Sequence, residues 1–269
     1  MAAQLITGLK QGEGARYALI CGDPYRVPRI ASELTSARKV RQVREFNMMA
    51  GKLLGERVLV ASTGIGGPST AILMEEFANT GTDTFLRVGT SGGIADGLRK
   101  GDFVITTAAY RKDGTSRSYV PDTFPAAADH DVVSALIHEA EERKCSFQKG
   151  VTLSVDGFYS ENRILDNEKV MPMSHGGFLL SGNAGNIDDA RKMGVKNIEM
   201  EMGTVLTLTT LWNIRGGGIC LVSDVAPWHE TEDILDPESG MEKCIEIAVG
   251  ALGRIIEDDR KNSDADSKR

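Results

Sequence analysis

The stretch GGICLVSD, residues 217–224, is an apolar run that ends in a carboxylate. An unbroken apolar run that follows glycine is typical of a strand buried on both faces. The aspartate at its tip, Asp224, either turns the chain after the strand or serves a ligand. Similar runs occur earlier in the sequence and are predicted as strands: RYALICGD (16–23), ERVLVAST (56–63), TFLRVGT (84–90), DFVITTAAY (102–110) and KGVTLSV (149–155).

Segments of helical character separate these runs. Helices are predicted to begin near Gly67, Asp129, Met200 and Gly240. The apolar residues of the last helix recur at helical spacing. Alternating strands and helices favour one α/β domain around a largely parallel sheet. Because ligands of such folds bind beyond the carboxyl ends of the strands, we expect a functional site there.

The composition excludes several classes of protein. The chain has 269 residues, of which 41% are hydrophobic, and its formal charge of −7 offers no basic field for nucleic acid or an acidic membrane. Four scattered cysteines without a C-x-x-C pair predict reduced thiols in a cytoplasmic protein, without disulfides or a metal site. No membrane span or signal peptide is expected. We predict one domain over residues 1–256 and a polar, disordered tail over 257–269.

Three of the predicted strand ends carry residues that suit an anion. Gly22 and Arg26 follow the first strand, the glycine-rich segment 62–70 follows the second, and Arg87 and Thr90 belong to the third. Glycine lets the backbone approach a ligand, helix starts attract anions, and arginine grips phosphate with two parallel hydrogen bonds. Taken singly, these features also fit tight turns and a core ion pair. Together, at one end of the sheet, they favour a tetrahedral oxyanion.

Seven motifs, in this order, carry a resemblance to a known family: GDPYRV, VREF, STGIGGPST, FLRVGTSGG, FPAAAD, DGFY and NIEMEM. Over roughly residues 5 to 256 the chain resembles the nucleoside phosphorylase-I family, which includes uridine phosphorylases and hexameric purine nucleoside phosphorylases. The resemblance implies a single α/β domain around a distorted, barrel-like mixed sheet flanked by helices. It also implies phosphorolysis, in which phosphate displaces the base of a nucleoside to give ribose 1-phosphate. No cofactor is implied, since inorganic phosphate is a co-substrate.

The resemblance also implies roles for particular residues. The phosphate-binding residues are Gly22, Arg26, Arg87, Thr90 and Arg44. By spacing alone Arg44 is an ordinary solvated charge, but the resemblance implies that it reaches the phosphate of a neighbouring subunit, and hence at least a dimer.

Further roles concern the nucleoside. Glu201, with Met200 and Thr90, is expected to bind the ribose, where the carboxylate fixes the ring. Phe158, Ser223 and Asp224 are expected around the base. Without the resemblance, Glu201 fits a helix-start acid and Phe158 fits the core.

Asp224 favours a purine nucleoside as substrate. In the purine-specific branch of the family an aspartate at this position protonates the departing base at N7, and Asp224 and Arg87 are therefore the expected catalytic residues. Uridine phosphorylases instead read uracil with a glutamine and an arginine two residues apart, where this chain has Asn162 and Ile164, with Arg163 one place off.

Other features leave the base and the reaction open. STGIGGPST and FLRVGT look closer to uridine phosphorylases, so a uridine phosphorylase that reads uracil through Asn162 and Arg163 is the alternative. A nucleosidase of the same fold and a non-catalytic nucleoside-binding protein are further alternatives. Trp228 is a candidate lid over the base. The N-terminal histidine that usually binds the ribose 5′-hydroxyl is absent, and the assignment of His229 to that task stays open.

Overall fold

The predicted alternation of strands and helices is present in the computed structural model, which describes residues 3–166, 169–226 and 240–266. Its strands are β1 (Tyr17–Cys21), β2 (Thr35–Val43), β3 (Phe46–Leu53), β4 (Glu56–Ser62), β5 (Thr84–Gly93), β6 (Phe103–Arg111), β7 (Phe147–Ser154), β8 (Arg163–Asp166), β9 (Lys169–Pro172), β10 (Asn197–Glu199) and β11 (Arg215–Val225). Its helices are α1 (Arg26–Ser32), α2 (Gly67–Ala78), α3 (Gly114–Tyr119), α4 (His130–Glu142), α5 (Phe158–Glu161), α6 (Asn186–Lys192), α7 (Met202–Trp212) and α8 (Met241–Asp266).

One mixed sheet organises the domain, in the order β10-β7-β6-β11-β5-β1-β4-β3-β2. β10 also pairs with β5, so β10, β7, β6, β11 and β5 close into a barrel and the remaining strands extend outward from it. β5 is parallel to both β1 and β11, whereas β6 runs antiparallel to β11. The expectation of a single α/β domain with a barrel-like mixed sheet is therefore confirmed.

The central strands are buried on both faces, which explains their unbroken apolar runs. Along β1, Leu19 packs into a core with α1, α4 and α8, whereas Ala18 and Ile20 pack into a second core with α2 and α7. Every residue of β1 is buried. Of the helices in the described ranges, none combines the length and apolar composition that a bilayer crossing requires.

Several elements differ from the sequence-based expectation. The β2–β3 hairpin was not predicted, because most of β2 is exposed and its sequence, TSARKVRQV, lacks an apolar alternation. β10, with three residues, is too short to give a periodic signal.

The C-terminus also differs from the prediction. The tail was predicted as disordered from residue 257, but α8 continues to Asp266. Ion pairs hold this extension: Asp259 contacts Arg215 at 2.6 Å and Arg260 contacts Glu56 at 2.9 Å. Asp259 and Arg260 thus tie this part of α8 to the rest of the domain, a contact that composition does not indicate.

Candidate active site

A cavity of about 690 Å³ lies beyond the carboxyl ends of β1, β4, β5 and β11. This is the position that the strand-end argument predicts for a ligand. All of the predicted site residues except Arg44 line it, namely Gly22, Arg26, Arg87, Thr90, Phe158, Met200, Glu201, Ser223 and Asp224. Strands and helix starts from distant parts of the sequence therefore converge on one cavity.

Arg87 is the central charged residue of this cavity. Its side chain is only 4% exposed, and its Nη2 contacts the carboxylates of both Glu199 and Glu201. Its Nε donates to Glu199 Oε2 at 3.2 Å. Burial by itself would lower the pKa of Arg87, but the charges of Glu201 and Glu199 raise it above its ordinary value. The sequence left an ion pair and an anion site as alternatives, and the geometry contains the ion pair.

One nitrogen of the same guanidinium has no hydrogen-bond partner among the described residues. This nitrogen is Nη1 of Arg87, which is buried. Nε of Arg26, at the first turn of α1, is in the same condition, and both residues line the cavity. Buried cationic donors without partners are costly, so an anion in the cavity would satisfy them.

Glu199 and Glu201 differ in what they hold. Glu199 accepts the backbone N–H groups of Glu201 at 2.8 Å and Met202 at 2.9 Å, which secures the start of α7. Glu201 instead accepts the N–H of Gly66, just before α2, at 2.6 Å. The N–H of Gly66, in the segment predicted to attract an anion, thus binds a carboxylate of the protein itself.

Glu199 is the buried carboxylate whose charge state is most perturbed. Burial raises the pKa of Glu199 to about 7, and the nearby charge of Glu201 adds to the increase. Arg87 and the two backbone N–H groups act in the opposite direction. The sequence analysis did not select Glu199, although its spacing from Glu201 contains the signal. Two glutamates two residues apart in an extended segment lie on the same side.

Glycine is required where the backbone meets the guanidinium. A Cβ atom at Gly89 would lie 2.9 Å from Nη2 of Arg87 and 3.0 Å from Sγ of Cys220. A larger residue would push Arg87 out of place. Gly66 has a φ of +92°, a conformation that residues with a side chain rarely adopt, and this turns its N–H toward Glu201. These glycines therefore fix the walls of the charged end.

The other end of the cavity is less enclosed. Phe158 is half exposed and packs edge-on against Tyr159 with ring centroids 5.1 Å apart. Asp224 accepts a 2.6 Å hydrogen bond from the hydroxyl of Ser223. Burial raises the pKa of Asp224, and the Ser223 hydrogen bond and the charge of Lys100 act in the opposite direction. Asp224 is thus placed where its carboxyl would hold a proton more readily than an exposed aspartate.

The two residues proposed to read uracil separate in the structure. Asn162 is buried, lines the cavity and donates from Nδ2 to the carbonyl of Phe158 at 2.6 Å. Arg163 does not line it and donates to the carbonyl of Asn183 at 2.7 Å. Asn162 is therefore at the cavity, whereas the guanidinium of Arg163 is hydrogen-bonded elsewhere. The side chain of Ile164 lies outside the described residues.

Other predicted residues lie elsewhere. Arg44 occupies the exposed turn between β2 and β3 with a φ of +52°, and it does not line the cavity of its own chain, although the adjacent Glu45 does. Trp228 and His229 lie outside the described residues. Across residues 3–166, 169–226 and 240–266, no three His, Cys, Asp or Glu side chains come together as metal ligands would.

Comparisons with known proteins place this geometry in context. Residues 16–257 match the sequence profile of the phosphorylase superfamily. The chain is 43% identical to the uridine phosphorylase of Thermococcus kodakarensis over 214 residues, which are 79% of this chain and 74% of that protein. It is 36% identical to the uridine phosphorylase of Salmonella typhimurium over 91% of this chain and 94% of that one. It is also 32% identical to the guanosine phosphorylase of Halorubrum lacusprofundi, over 94% and 99% of the two chains.

Proposed function

Because the chain belongs to the phosphorylase superfamily and is a nucleoside phosphorylase, we propose that it cleaves uridine with inorganic phosphate to give uracil and ribose 1-phosphate. Phosphate forms the new bond to C1′ of the ribose, and the bond from C1′ to the base breaks with its electron pair leaving on the base. No cofactor takes part in this reaction.

The observation that carries the proposal is the buried Nη1 of Arg87, which has no partner among the described residues although Arg87 lines the cavity. Gly22, Arg26 and Thr90 line the same region, so a phosphate there would receive charge-assisted hydrogen bonds from two guanidinium groups. Breaking the glycosidic bond builds positive charge on the sugar. A bound dianion below the ring stabilises that charge and is positioned to attack. In this proposal Glu201 and Met200 orient the ribose from the adjacent wall.

Uridine is proposed as the nucleoside on the strength of the relatives. Uridine phosphorylases from both archaea and bacteria are 34–43% identical to the chain over most of its length. Asn162 is then the side chain that faces uracil, and Phe158 packs on its ring. Arg163 has no part in base recognition, because its side chain is bonded outside the cavity.

A purine nucleoside is the second candidate, and Asp224 is the observation that favours it. A partly buried carboxyl with a raised pKa can donate a proton to N7 of a departing purine. The similarity to a guanosine phosphorylase supports the same candidate. In both candidates the phosphate and ribose ends of the site are used in the same way.

One activity panel tests these candidates together. Uridine, inosine, guanosine and adenosine are each incubated with the enzyme, with and without phosphate, and free base and ribose 1-phosphate are quantified. We expect phosphate-dependent cleavage with uridine preferred. Preference for guanosine or inosine would instead support the purine candidate. Base release without phosphate would identify a nucleosidase, and binding without cleavage would identify a non-catalytic binding protein; either result would overturn the proposal.

A further inference from the structure

Glu199 is given no contact with phosphate or nucleoside in the proposed function. It does contact Arg87, the residue proposed to bind the phosphate. Its Oε2 accepts from Nε of Arg87 at 3.2 Å and lies 3.2 Å from Nη2. The side chain of Glu199 is 1% exposed, so water cannot replace this contact. The carboxylate therefore occupies one whole edge of the Arg87 guanidinium.

The guanidinium geometry makes this contact directional. Its five N–H donors lie in one rigid plane, so fixing one edge fixes the direction of the others. Glu199 accepts from Nε of Arg87 and also contacts Nη2. Glu201 contacts the same Nη2. The donors that remain are those of Nη1, the buried nitrogen without a partner among the described residues.

Glu199 is itself fixed by the backbone. The N–H groups of Glu201 and Met202 donate to its carboxylate at 2.8 and 2.9 Å. These groups belong to the start of α7, which is buried against the sheet. A continuous set of contacts thus runs from the backbone at the start of α7 through Glu199 to Arg87 in β5.

From this arrangement we propose that Glu199 is a positioning residue for the phosphate, which directs Nη1 of Arg87 into the anion site. The inference rests on the proposed function in that the anion is the phosphate co-substrate. A flexible arginine would have to be ordered each time phosphate binds, whereas the paired arginine is ordered beforehand. Glu199 acts through Arg87 and has no direct contact with the anion.

Phosphate binding to the whole enzyme, measured by calorimetry without nucleoside, tests this inference. In Glu199→Gln the dissociation constant for phosphate is expected to rise roughly 10- to 100-fold, as for the loss of a buried coupled partner. Arg87→Lys should weaken binding as well. The double variant Arg87→Lys/Glu199→Gln should bind no more weakly than Arg87→Lys alone, because Glu199 has no role once Arg87 is absent.

A matched control separates positioning from general stability. Glu139 is also buried and pairs with two arginines, Arg143 and Arg254, but it lies on α4, away from the cavity. Glu139→Gln should lower the melting temperature and leave phosphate binding unchanged. If Glu199→Gln does not fold, Glu199→Asp takes its place under the same criteria.

Two results would overturn the inference. One is a Glu199 variant that binds phosphate within about twofold of the wild type, below the roughly 10- to 100-fold rise expected here. The other is a double variant whose loss equals the product of the single losses, since that would mean Glu199 acts independently of Arg87. Because no nucleoside is present, these outcomes are distinct from a failure of the uridine proposal, which the activity panel detects.

Discussion

The two ends of the cavity are built differently. At the anion end, Arg87, Glu199 and Glu201 are almost fully buried, and each is held by two or more partners. At the base end, Phe158 is half exposed, and the side chain of Asp224 accepts from the hydroxyl of the neighbouring Ser223. The anion end is therefore ordered before a ligand arrives, whereas the base end has freedom to adapt.

This difference fits the relatives. Proteins named for different bases, uridine and guanosine, are both similar to this chain along most of its length. A rigid anion end can serve any phosphorolysis, while changes confined to a few residues at the base end can alter the base. The predictions below test whether the two ends behave independently.

The largest effect is expected from removal of the charged centre. Arg87→Ala should lower phosphate-dependent turnover by about 10²–10³-fold, the usual effect of losing one preorganised donor. It should also destabilise the fold by about 3–5 kcal/mol, because two buried carboxylates lose their cation. Steady-state kinetics at varied phosphate and urea denaturation measure the two effects.

A second buried arginine supplies the control for Arg87. Arg111 donates to Thr207 and to the carbonyl of Pro121, and it does not line the cavity. Arg111→Ala should destabilise the fold without changing the KM for phosphate. An unaltered phosphate dependence in Arg87→Ala would remove Arg87 from the anion site.

Asp224→Asn tests the base end. Turnover of inosine or guanosine should fall by about 10²–10⁴-fold, since the amide cannot donate the proton that a departing purine needs. Turnover of uridine should change far less, because uracil has no N7. Ser223→Ala is the matched control: it keeps the carboxyl and removes the hydrogen bond that opposes protonation. Equal losses for uridine and inosine would contradict this division of roles.

Phe158→Ala should give a smaller effect that is confined to the nucleoside. Loss of stacking on the base, worth about 1–3 kcal/mol, should raise the KM for nucleoside by roughly 5- to 100-fold. The KM for phosphate should not change, because Phe158 is proposed to pack on the base and not on the phosphate. Phe158→Tyr keeps the ring and should retain most of the affinity. A parallel rise in both KM values would mean that the two ends are coupled.

Much of the fold follows from local pattern in the sequence. The runs at 16–23, 56–63, 84–90 and 217–224 became central strands because burial on both faces leaves a strong apolar signal. The β2–β3 hairpin escaped prediction because its exposed strand carries no such signal. β3 also pairs with β4, the next strand along the chain, from Met48↔Ala61 to Leu53↔Glu56.

In the site, too, residues that stand out in their local sequence were predicted, whereas a contact between residues far apart in sequence was not. The sequence indicated Arg87 and Glu201, because a charge inside an apolar strand and a carboxylate at a helix start are conspicuous. It did not indicate that Glu199 and Glu201 share one arginine. That pairing joins β5 to residues 112 and 114 positions further along the chain, just before α7, and only the closed barrel brings them together.

The last effect is on stability without ligand and leaves turnover aside. Burial raises the pKa of Glu199 to about 7 from an ordinary value of 4.5. A carboxyl with a raised folded-state pKa contributes most to stability below its unfolded pKa. That contribution is lost as the pH rises through the folded-state value. The wild type should therefore lose stability between about pH 4.5 and 7 by roughly 3 kcal/mol relative to Glu199→Gln, which cannot titrate. Urea denaturation of both proteins across this range measures the difference. A constant difference at every pH would show that Glu199 is ionised throughout, and that the anion end carries its full negative charge even when empty.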